Sequence, residues 1–292
     1  MKDLELEYTR AKRALFDKVY SEKLNPEQCR AVFTAKGPLL VLAGAGSGKT
    51  TVLVNRIAYL IRYGNAYFSE YVPKTVTEQT VAALREAQSA SVGEIEEILP
   101  GFITEPVSPW SVLAITFTNK AAREIKERLQ SVFEDDSVTE SIWAGTFHSV
   151  CLRILRKHGE KLGYRAGLSI YDTDDSKRLL IQCMRELEID EKRLSPKAVQ
   201  NVISRAKDKL ESADAFDVDR DPRSRDIKRI YELYQRKMME NNAVDFDDII
   251  MKTVELLGNE ADVREYYQNK FRHILVDEYE HSSPYDSSDA KR

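Results

Sequence analysis

The sequence predicts an α/β protein with a parallel sheet and a second, all-helical domain. Four short apolar runs have the length of buried strands, at Leu39 to Leu42, Ser111 to Phe117, Ile142 to Phe147 and Phe271 to Asp277. Apolar residues at helical spacing follow the first two runs. Residues 151–242 show helical periodicity without strand-like alternation of useful length. Strands alternating with helices indicate a parallel sheet, and the helical stretch indicates an inserted domain.

The predicted domains are an α/β lobe made of residues 1–150 and 243–292, and a helical domain of residues 151–242. Within the lobe, residues 64–109 form an acidic insertion with two short helical patterns. The chain has 44 basic and 48 acidic residues, a net charge of −4, so it is not a uniformly basic nucleic-acid binder. The charge is nevertheless segregated, since residues 151–242 are net basic and residues 64–109 are net acidic. Local basic grooves are therefore compatible with the composition.

The chain begins with an amphipathic helix over residues 4–23, which carries apolar residues mostly four apart. Asn25 can then cap a second helix, and Pro26 suits its first turn. Gln28 follows in that turn. Its amide presents one donor and one acceptor together, which matches the N6/N7 edge of an adenine.

The segment Pro38 to Thr51, PLLVLAGAGSGKTT, predicts a phosphate-binding loop between a strand and a helix. Its glycines let backbone N–H groups close on a polyphosphate, and the following helix adds the positive end of its dipole. Lys49 would reach the β- and γ-phosphates, and Thr50 would offer a hydroxyl to Mg²⁺.

Polar residues follow three of the predicted strands. Thr116 to Lys120 come at the end of one, His148 and Ser149 follow the next, and Asp277-Glu278 end the last. Parallel sheets bind ligands at the carboxyl ends of their strands. A carboxylate at the exit of the last strand can hold the metal that Thr50 also binds, and the next carboxylate can deprotonate a water.

The composition argues against a secreted or membrane protein. The three cysteines are odd in number and widely spaced, and no metal-ligand spacing links them to the four histidines. The first residues are charged throughout, and no run of 18 apolar residues occurs. We therefore expect a cytoplasmic protein without a membrane partner.

Five segments in this order resemble the UvrD/Rep-type superfamily 1 DNA helicases: LNPEQ, GAGSGKT, AITFTNKAAREIKERL, GTFHS and ILVDEY. The resemblance covers about residues 24–279. It implies a first RecA-like lobe with an inserted helical domain, ATP and Mg²⁺ as cofactors, and 3′-to-5′ translocation on single-stranded DNA. A 3′-tailed duplex and a role in DNA repair are part of the same expectation.

The resemblance also implies roles for the residues that match its motifs. Glu278 would be the general base, and Lys49 would act with it. The nucleotide would be bound by Gln28, Gly44, Ala45, Gly46, Ser47, Gly48, Lys49, Thr50 and Thr51. The metal would be held by Thr50 and Asp277. The single-stranded DNA would be bound by Phe117, Thr118, Asn119, Lys120, Thr146, Phe147 and His148. For the two phenylalanines, ordinary core packing is the alternative.

Two departures from the family pattern bear on activity. The last motif continues as DEYEHSS, so Glu280 and the residues after it do not match. The sequence also stops at Arg292, before the second lobe that carries the arginine finger in this family. We therefore expect this chain alone to show little or no turnover. The alternatives are part of a helicase–nuclease subunit, or a truncated module that binds DNA or a partner without catalysis.

Overall fold

The computed structural model describes residues 2–44, 46–133, 135–218 and 222–277. The chain divides into two compact units, one made of residues 1–145 and 271–292, the other of residues 146–270. These bounds differ from the predicted domains, because the second unit takes in residues 146–150 and 243–270 besides the predicted helical stretch. Each unit is described by itself below.

The α-helices run, in chain order, over Lys2–Ser21 (α1), Pro26–Phe33 (α2), Lys49–Tyr63 (α3), Glu78–Ala87 (α4), Val92–Ile98 (α5), Asn119–Phe133 (α6), Asp136–Ser141 (α7), Phe147–His158 (α8), Thr173–Glu186 (α9), Pro196–Asp208 (α10), Pro222–Glu240 (α11), Phe246–Asn259 (α12) and Ala261–Lys270 (α13). Short 3-10 helices cover Leu99–Phe102, Pro109–Ser111 and Gly159–Leu162. The strands are Val112–Thr116 (β1), Trp143–Thr146 (β2), Ser169–Ile170 (β3), Ala243–Val244 (β4) and His273–Val276 (β5).

The first unit contains a three-stranded sheet in the order β2-β1-β5. β1 and β5 are parallel, with Val112 opposite His273 and Ile115 opposite Val276. The backbone N–H of Asp277 donates to the carbonyl oxygen of Ile115 at 2.8 Å, which continues this pairing one residue further. The predicted parallel sheet is thus present, and the acidic end of β5 lies beside the end of β1.

The prediction of a buried strand at Leu39 to Leu42 is wrong for this structure. These residues form no strand, and Leu40 and Leu42 are 68% and 87% exposed. An apolar run becomes a strand only where a neighbouring strand accepts its hydrogen bonds. Among the described strands none lies beside this run, and Ile274 of β5, at the edge of the sheet, is also largely exposed. The apolar run can be recognised in the sequence, but whether a strand lies beside it cannot.

The acidic insertion is an integral part of the first unit. The predicted helices α4 and α5 are present, and Ile95 and Leu99 of the insertion are fully buried in one core with α1, α2 and α3. Phe16 of α1 is fully buried at the centre of that core, with aromatic rings of α2, α3 and the insertion around it. The insertion therefore contributes core packing as well as surface.

Basic side chains of α1 donate hydrogen bonds to main-chain carbonyl groups of the insertion. Lys12 is buried and donates to the carbonyl oxygen of Ser69 at 2.6 Å. Lys18 donates to the carbonyl oxygens of Gln88 and Ala90, both at 2.7 Å, where α4 gives way to α5. The two bonds of Lys18 satisfy carbonyl groups in the turn that follows α4.

In the described part of the second unit, helices predominate and β3 and β4 form a parallel pair. A buried ion-pair network joins α10 to the start of α12. The Lys207 ammonium is fully buried, 2.6 Å from the Asp245 carboxylate and 2.9 Å from that of Asp248. Burial opposes the charge on Asp245, but the Lys207 ammonium outweighs it and lowers the pKa of Asp245. The same network caps α12, since Asp245 accepts from the N–H of Asp248.

None of the helices that the structure describes is long and apolar enough to cross a membrane.

Candidate functional site

The glycine-rich loop ends where α3 begins, as the motif predicts. Gly46 and Gly48 have φ of +74° and +82°, a left-handed conformation that a side chain disfavours. A Cβ atom on Gly48 would also lie 3.0 Å from the Gln28 Nε2 atom. Lys49 and Thr50 are the first residues of α3, so their N–H groups have no partner within the helix. A glycine-rich turn at a helix start is a backbone arrangement that commonly binds anions.

The Lys49 ammonium lies over this loop. It donates to the carbonyl oxygens of Ala43 and Gly44, each at 3.2 Å, and it is partly exposed. The Ser47 hydroxyl donates to the same Gly44 carbonyl at 2.7 Å and closes the turn. Among the described residues, the acceptors of this ammonium are two neutral carbonyl groups, which an anion can replace.

Thr50 and Asp277 meet although 227 positions separate them in the sequence. The Thr50 hydroxyl lies 3.4 Å from the Asp277 carboxylate, and Asp277 is buried. Beside them the buried Thr116 hydroxyl, at the end of β1, has no hydrogen-bond partner among the described residues. Hydroxyl and carboxylate oxygens are the ligands that Mg²⁺ prefers, and Mg²⁺ takes few protein ligands and keeps several waters. The oxygen atoms of Thr50 and Asp277 are therefore suitable ligands for Mg²⁺.

Gln28 connects α2 to the phosphate loop. Its side-chain nitrogen donates to the Ser47 carbonyl oxygen at 2.9 Å, and its side-chain oxygen accepts from the N–H of Asn25 at 3.0 Å. The predicted cap is present, since Asn25 accepts in return from the N–H of Gln28. The amide retains a second hydrogen and a second lone pair for a base. The sequence predicted the cap but gave no sign of the bond to the loop.

Thr51 faces α6 in this structure. Its hydroxyl accepts a hydrogen bond from Arg128 at 3.0 Å, and Arg128 also pairs with Glu124 at 2.6 Å. The N–H of Thr51 lies in the first turn of α3 and can still serve the anion site. Arg128 was not among the predicted site residues, because a contact between two helices leaves no pattern in the sequence.

Residues 117–120 lie at the end of β1 and the start of α6, as predicted. Phe117 is 52% exposed, which disfavours the core-packing alternative for this ring. The Thr118 hydroxyl accepts from the N–H of Ala121 at 3.1 Å, so it caps α6. Asn119 and Lys120 are exposed. This edge of the first unit therefore presents an aromatic ring and a cation to solvent.

Residues 146–148 open the second unit at the start of α8. Thr146 is buried, and its hydroxyl accepts from the N–H of Ser149 at 3.2 Å, so the side chain serves as the helix cap. Phe147 and His148 are partly exposed. The His148 ring contacts that of Phe246 edge-on, with centroids 5.9 Å apart. Phe246 is 53% exposed and was missed by the prediction; the available signal was an aromatic residue among the aspartates that begin α12.

Two predicted residues, Ala45 and Glu278, lie outside the described residues. Within the described ranges no three His, Cys, Asp or Glu side chains are grouped so that they could hold a metal. The structure thus brings together Gln28, the loop, Thr50 and Asp277 in the first unit. The predicted nucleic-acid residues form one group in each unit.

Comparisons with known proteins identify the family of this chain. The family model described as the UvrD/REP helicase N-terminal domain matches residues 24–101 and 95–287. The ATP-dependent DNA helicase PcrA of Staphylococcus aureus is 40% identical over 258 residues, which is 88% of this chain and 30% of that protein. PcrA of Bacillus subtilis is 38% identical, over 88% of this chain and 29% of the relative. The chain thus spans about 30% of the length of the curated relatives it matches.

Proposed function

The chain belongs to the UvrD/REP helicase family through its N-terminal domain, and on that premise we propose that it binds Mg²⁺-ATP for a 3′-to-5′ DNA helicase. In the complete protein, ATP hydrolysis would drive translocation along single-stranded DNA. The observation that carries the proposal is the meeting of Thr50 with Asp277 beneath the phosphate loop. A hydroxyl on the loop helix and a carboxylate at a strand end form the metal arrangement of P-loop NTPases.

Each side chain has a definite task in this proposal. The Lys49 ammonium leaves the Ala43 and Gly44 carbonyls for the β- and γ-phosphate oxygens. Thr50 and Asp277 would hold Mg²⁺, which when bound neutralises charge on the phosphates. Gln28, already hydrogen-bonded to the loop, would receive the adenine edge with its remaining donor and acceptor. Glu278 is assigned the general base from the family motif.

Phe117 and Lys120 carry the nucleic-acid part of the proposal in the first unit, because an exposed ring can stack on a base and an ammonium can pair with a phosphate. In the second unit the partly exposed ring of His148 and the exposed ring of Phe246 contact each other, and both offer a face on which a base can stack. The hydroxyl of Thr146 is buried, so this residue would contribute to nucleic-acid binding indirectly, by capping the start of α8.

Titration with a fluorescent ATP analogue in the presence of Mg²⁺ tests the nucleotide site. Lys49→Ala should weaken binding by about 1.5–3 kcal/mol, because it removes a charge-assisted contact to phosphate. Lys36→Ala is the matched control, since Lys36 is an exposed lysine paired with Glu105 at 2.6 Å. Equal affinities for the two variants would remove the phosphate-cradle assignment.

The same titration also tests the proposed Mg²⁺ ligands, because nucleotide binding can be compared in Mg²⁺ and in EDTA. Asp277→Asn should abolish most of the difference between binding in Mg²⁺ and in EDTA while leaving the fold intact, because the amide is isosteric but cannot supply a charged ligand. An unchanged Mg²⁺ dependence in this variant would contradict the metal site even if nucleotide still binds.

A further inference from the structure

Arg128 of α6 places a guanidinium group beside the first turn of α3. Its Nη1 atom donates to the Thr51 hydroxyl at 3.0 Å, and its Nη2 atom lies 2.6 Å from a carboxylate oxygen of Glu124. Thr51 is the third residue of α3, so its N–H is one of those that have no partner within the helix. The proposed function assigns no task to Arg128 or to Glu124.

The packing of α6 against α3 fixes the backbone from which this guanidinium extends. Ile125 and Leu129 of α6 are fully buried in one core with Leu53 and Ile57 of α3. Arg128 directly precedes Leu129, so its backbone is held beside α3. Its side chain is nevertheless 44% exposed, so a dissolved anion has access to it.

A phosphate bound at this helix start would lie close to the charge of Arg128. Bond lengths place the hydroxyl oxygen of a threonine roughly 3 Å from its own backbone nitrogen. The Arg128 Nη1 atom is therefore at most roughly 6 Å from the Thr51 nitrogen, and at most roughly 9 Å from a phosphate oxygen that accepts from it. The Debye length at physiological ionic strength is about 8 Å, so salt does not fully screen a charge at this distance.

Glu124 carries the opposite charge, but Arg128 is the member of the ion pair that contacts α3 through the Thr51 hydroxyl. The pair therefore presents its positive member to the helix start. A polyphosphate there is attracted by the arginine and repelled by the glutamate. Removing one or the other charge should change the affinity for nucleotide in opposite directions.

The alternative is that the ion pair serves only the packing of α6 against α3. Exposed ion pairs contribute little to stability, and the two helices already share a buried core. A packing role also predicts a different response, because the loss of either partner breaks the same ion pair. Both losses would then change the affinity for nucleotide in the same direction.

We infer that Arg128 is a further cation of the nucleotide site, which attracts the polyphosphate by its charge, and that Glu124 weakens this attraction. The inference rests on the proposed function, which supplies Mg²⁺-ATP as the anion. Arg128 acts across the first turn of α3, on the phosphate that accepts from the Thr51 N–H. The pair of charges thereby sets how tightly the chain holds its nucleotide.

Titration of the whole chain with a fluorescent ATP analogue and Mg²⁺ tests the inference at about 0.05 M and about 0.5 M salt. At the lower salt concentration, Arg128→Gln should weaken binding roughly tenfold, and Glu124→Gln should strengthen it about threefold. Arg128→Lys keeps the charge and should retain most of the affinity. All these differences should shrink at the higher salt concentration, because screening acts on charge and not on packing.

Arg123→Gln is the matched control, because it removes an exposed arginine of the same helix, five positions away and therefore about 140° around α6. Urea unfolding checks that all variants are folded. If Arg128→Gln and Glu124→Gln weaken binding alike, or if Arg128→Gln binds as the control does, the inference is wrong. In either case a loss of affinity in Lys49→Ala leaves the proposed function standing. A wild-type chain that does not bind the analogue refutes the proposed function and, with it, this inference.

Discussion

At the scale of residues, individual glycines determine the backbone conformation of the predicted phosphate loop. Gly48 combines a φ of +82° with a neighbour, Gln28 Nε2, 3.0 Å from the place of a Cβ atom. Gly44 lies in the same loop, yet its φ is not in the left-handed region and nothing lies within 4 Å of an added Cβ. The two glycines of the motif therefore differ: the backbone conformation requires a glycine at position 48, whereas at position 44 the space stays open for the proposed phosphate.

The first prediction compares these two glycines. Gly48→Ala should lower the free energy of unfolding by about 1–2 kcal/mol, the cost of a left-handed conformation for a residue with a Cβ. Gly44→Ala should leave the free energy of unfolding nearly unchanged. Both variants should bind the ATP analogue more weakly. Urea unfolding and nucleotide titration measure the two effects, and equal stabilities of the two variants would contradict the assignment of strain to Gly48.

At the scale of elements, α1 and the acidic insertion form one helical assembly whose contact includes a buried cation. Lys12 is 2% exposed and donates to the main chain of Ser69. Burial, and then the charge of Arg13, lower the pKa of Lys12 to about 8. The folded protein therefore releases this proton more easily than the unfolded chain does, for which the reference value is 10.5.

The second prediction is a pH dependence that follows from this shift. Between pH 8 and about 10.5 the unfolded chain binds more protons at Lys12 than the folded protein, so stability rises with pH in that window. The shift corresponds to about 3 kcal/mol over the full window. Urea unfolding of the wild type and of Lys12→Met at several pH values isolates this contribution, since all other groups titrate in both proteins. A stability difference that is constant from pH 8 to 10.5 would show that Lys12 titrates normally.

At the scale of the whole molecule, the chain contains the proposed nucleotide site in the first unit and candidate nucleic-acid residues in both units, within about 30% of the length of its relatives. In phosphoryl transfer a cation that stabilises charge on the γ-phosphate contributes about 10³–10⁵ in rate. In the family that the sequence resembles, this cation is an arginine finger of a second lobe. We therefore expect a polypeptide limited to residues 1–292 to bind ATP but to hydrolyse it slowly.

The third prediction follows from that separation. Residues 1–292 should bind Mg²⁺-ATP but hydrolyse it at least about 10³-fold more slowly than a polypeptide extended to the length of the relatives, with saturating single-stranded DNA present. Steady-state phosphate release measures both. Turnover by the short polypeptide within tenfold of the extended one would show a self-sufficient ATPase, for which the second lobe is dispensable.

The sequence alone predicted a nucleotide site, and it predicted most of the elements that position the residues of that site. The loop, its helix, the cap at Asn25 and the strand leading to Asp277 are local patterns, since turns, caps and periodicity depend on residues a few positions apart. Only the tertiary structure decided the contacts between distant residues: Arg128 on Thr51, Gln28 on the loop, and the core under the acidic insertion. It also decided against a strand at residues 39–42, because strand formation depends on a neighbour and not on the run itself.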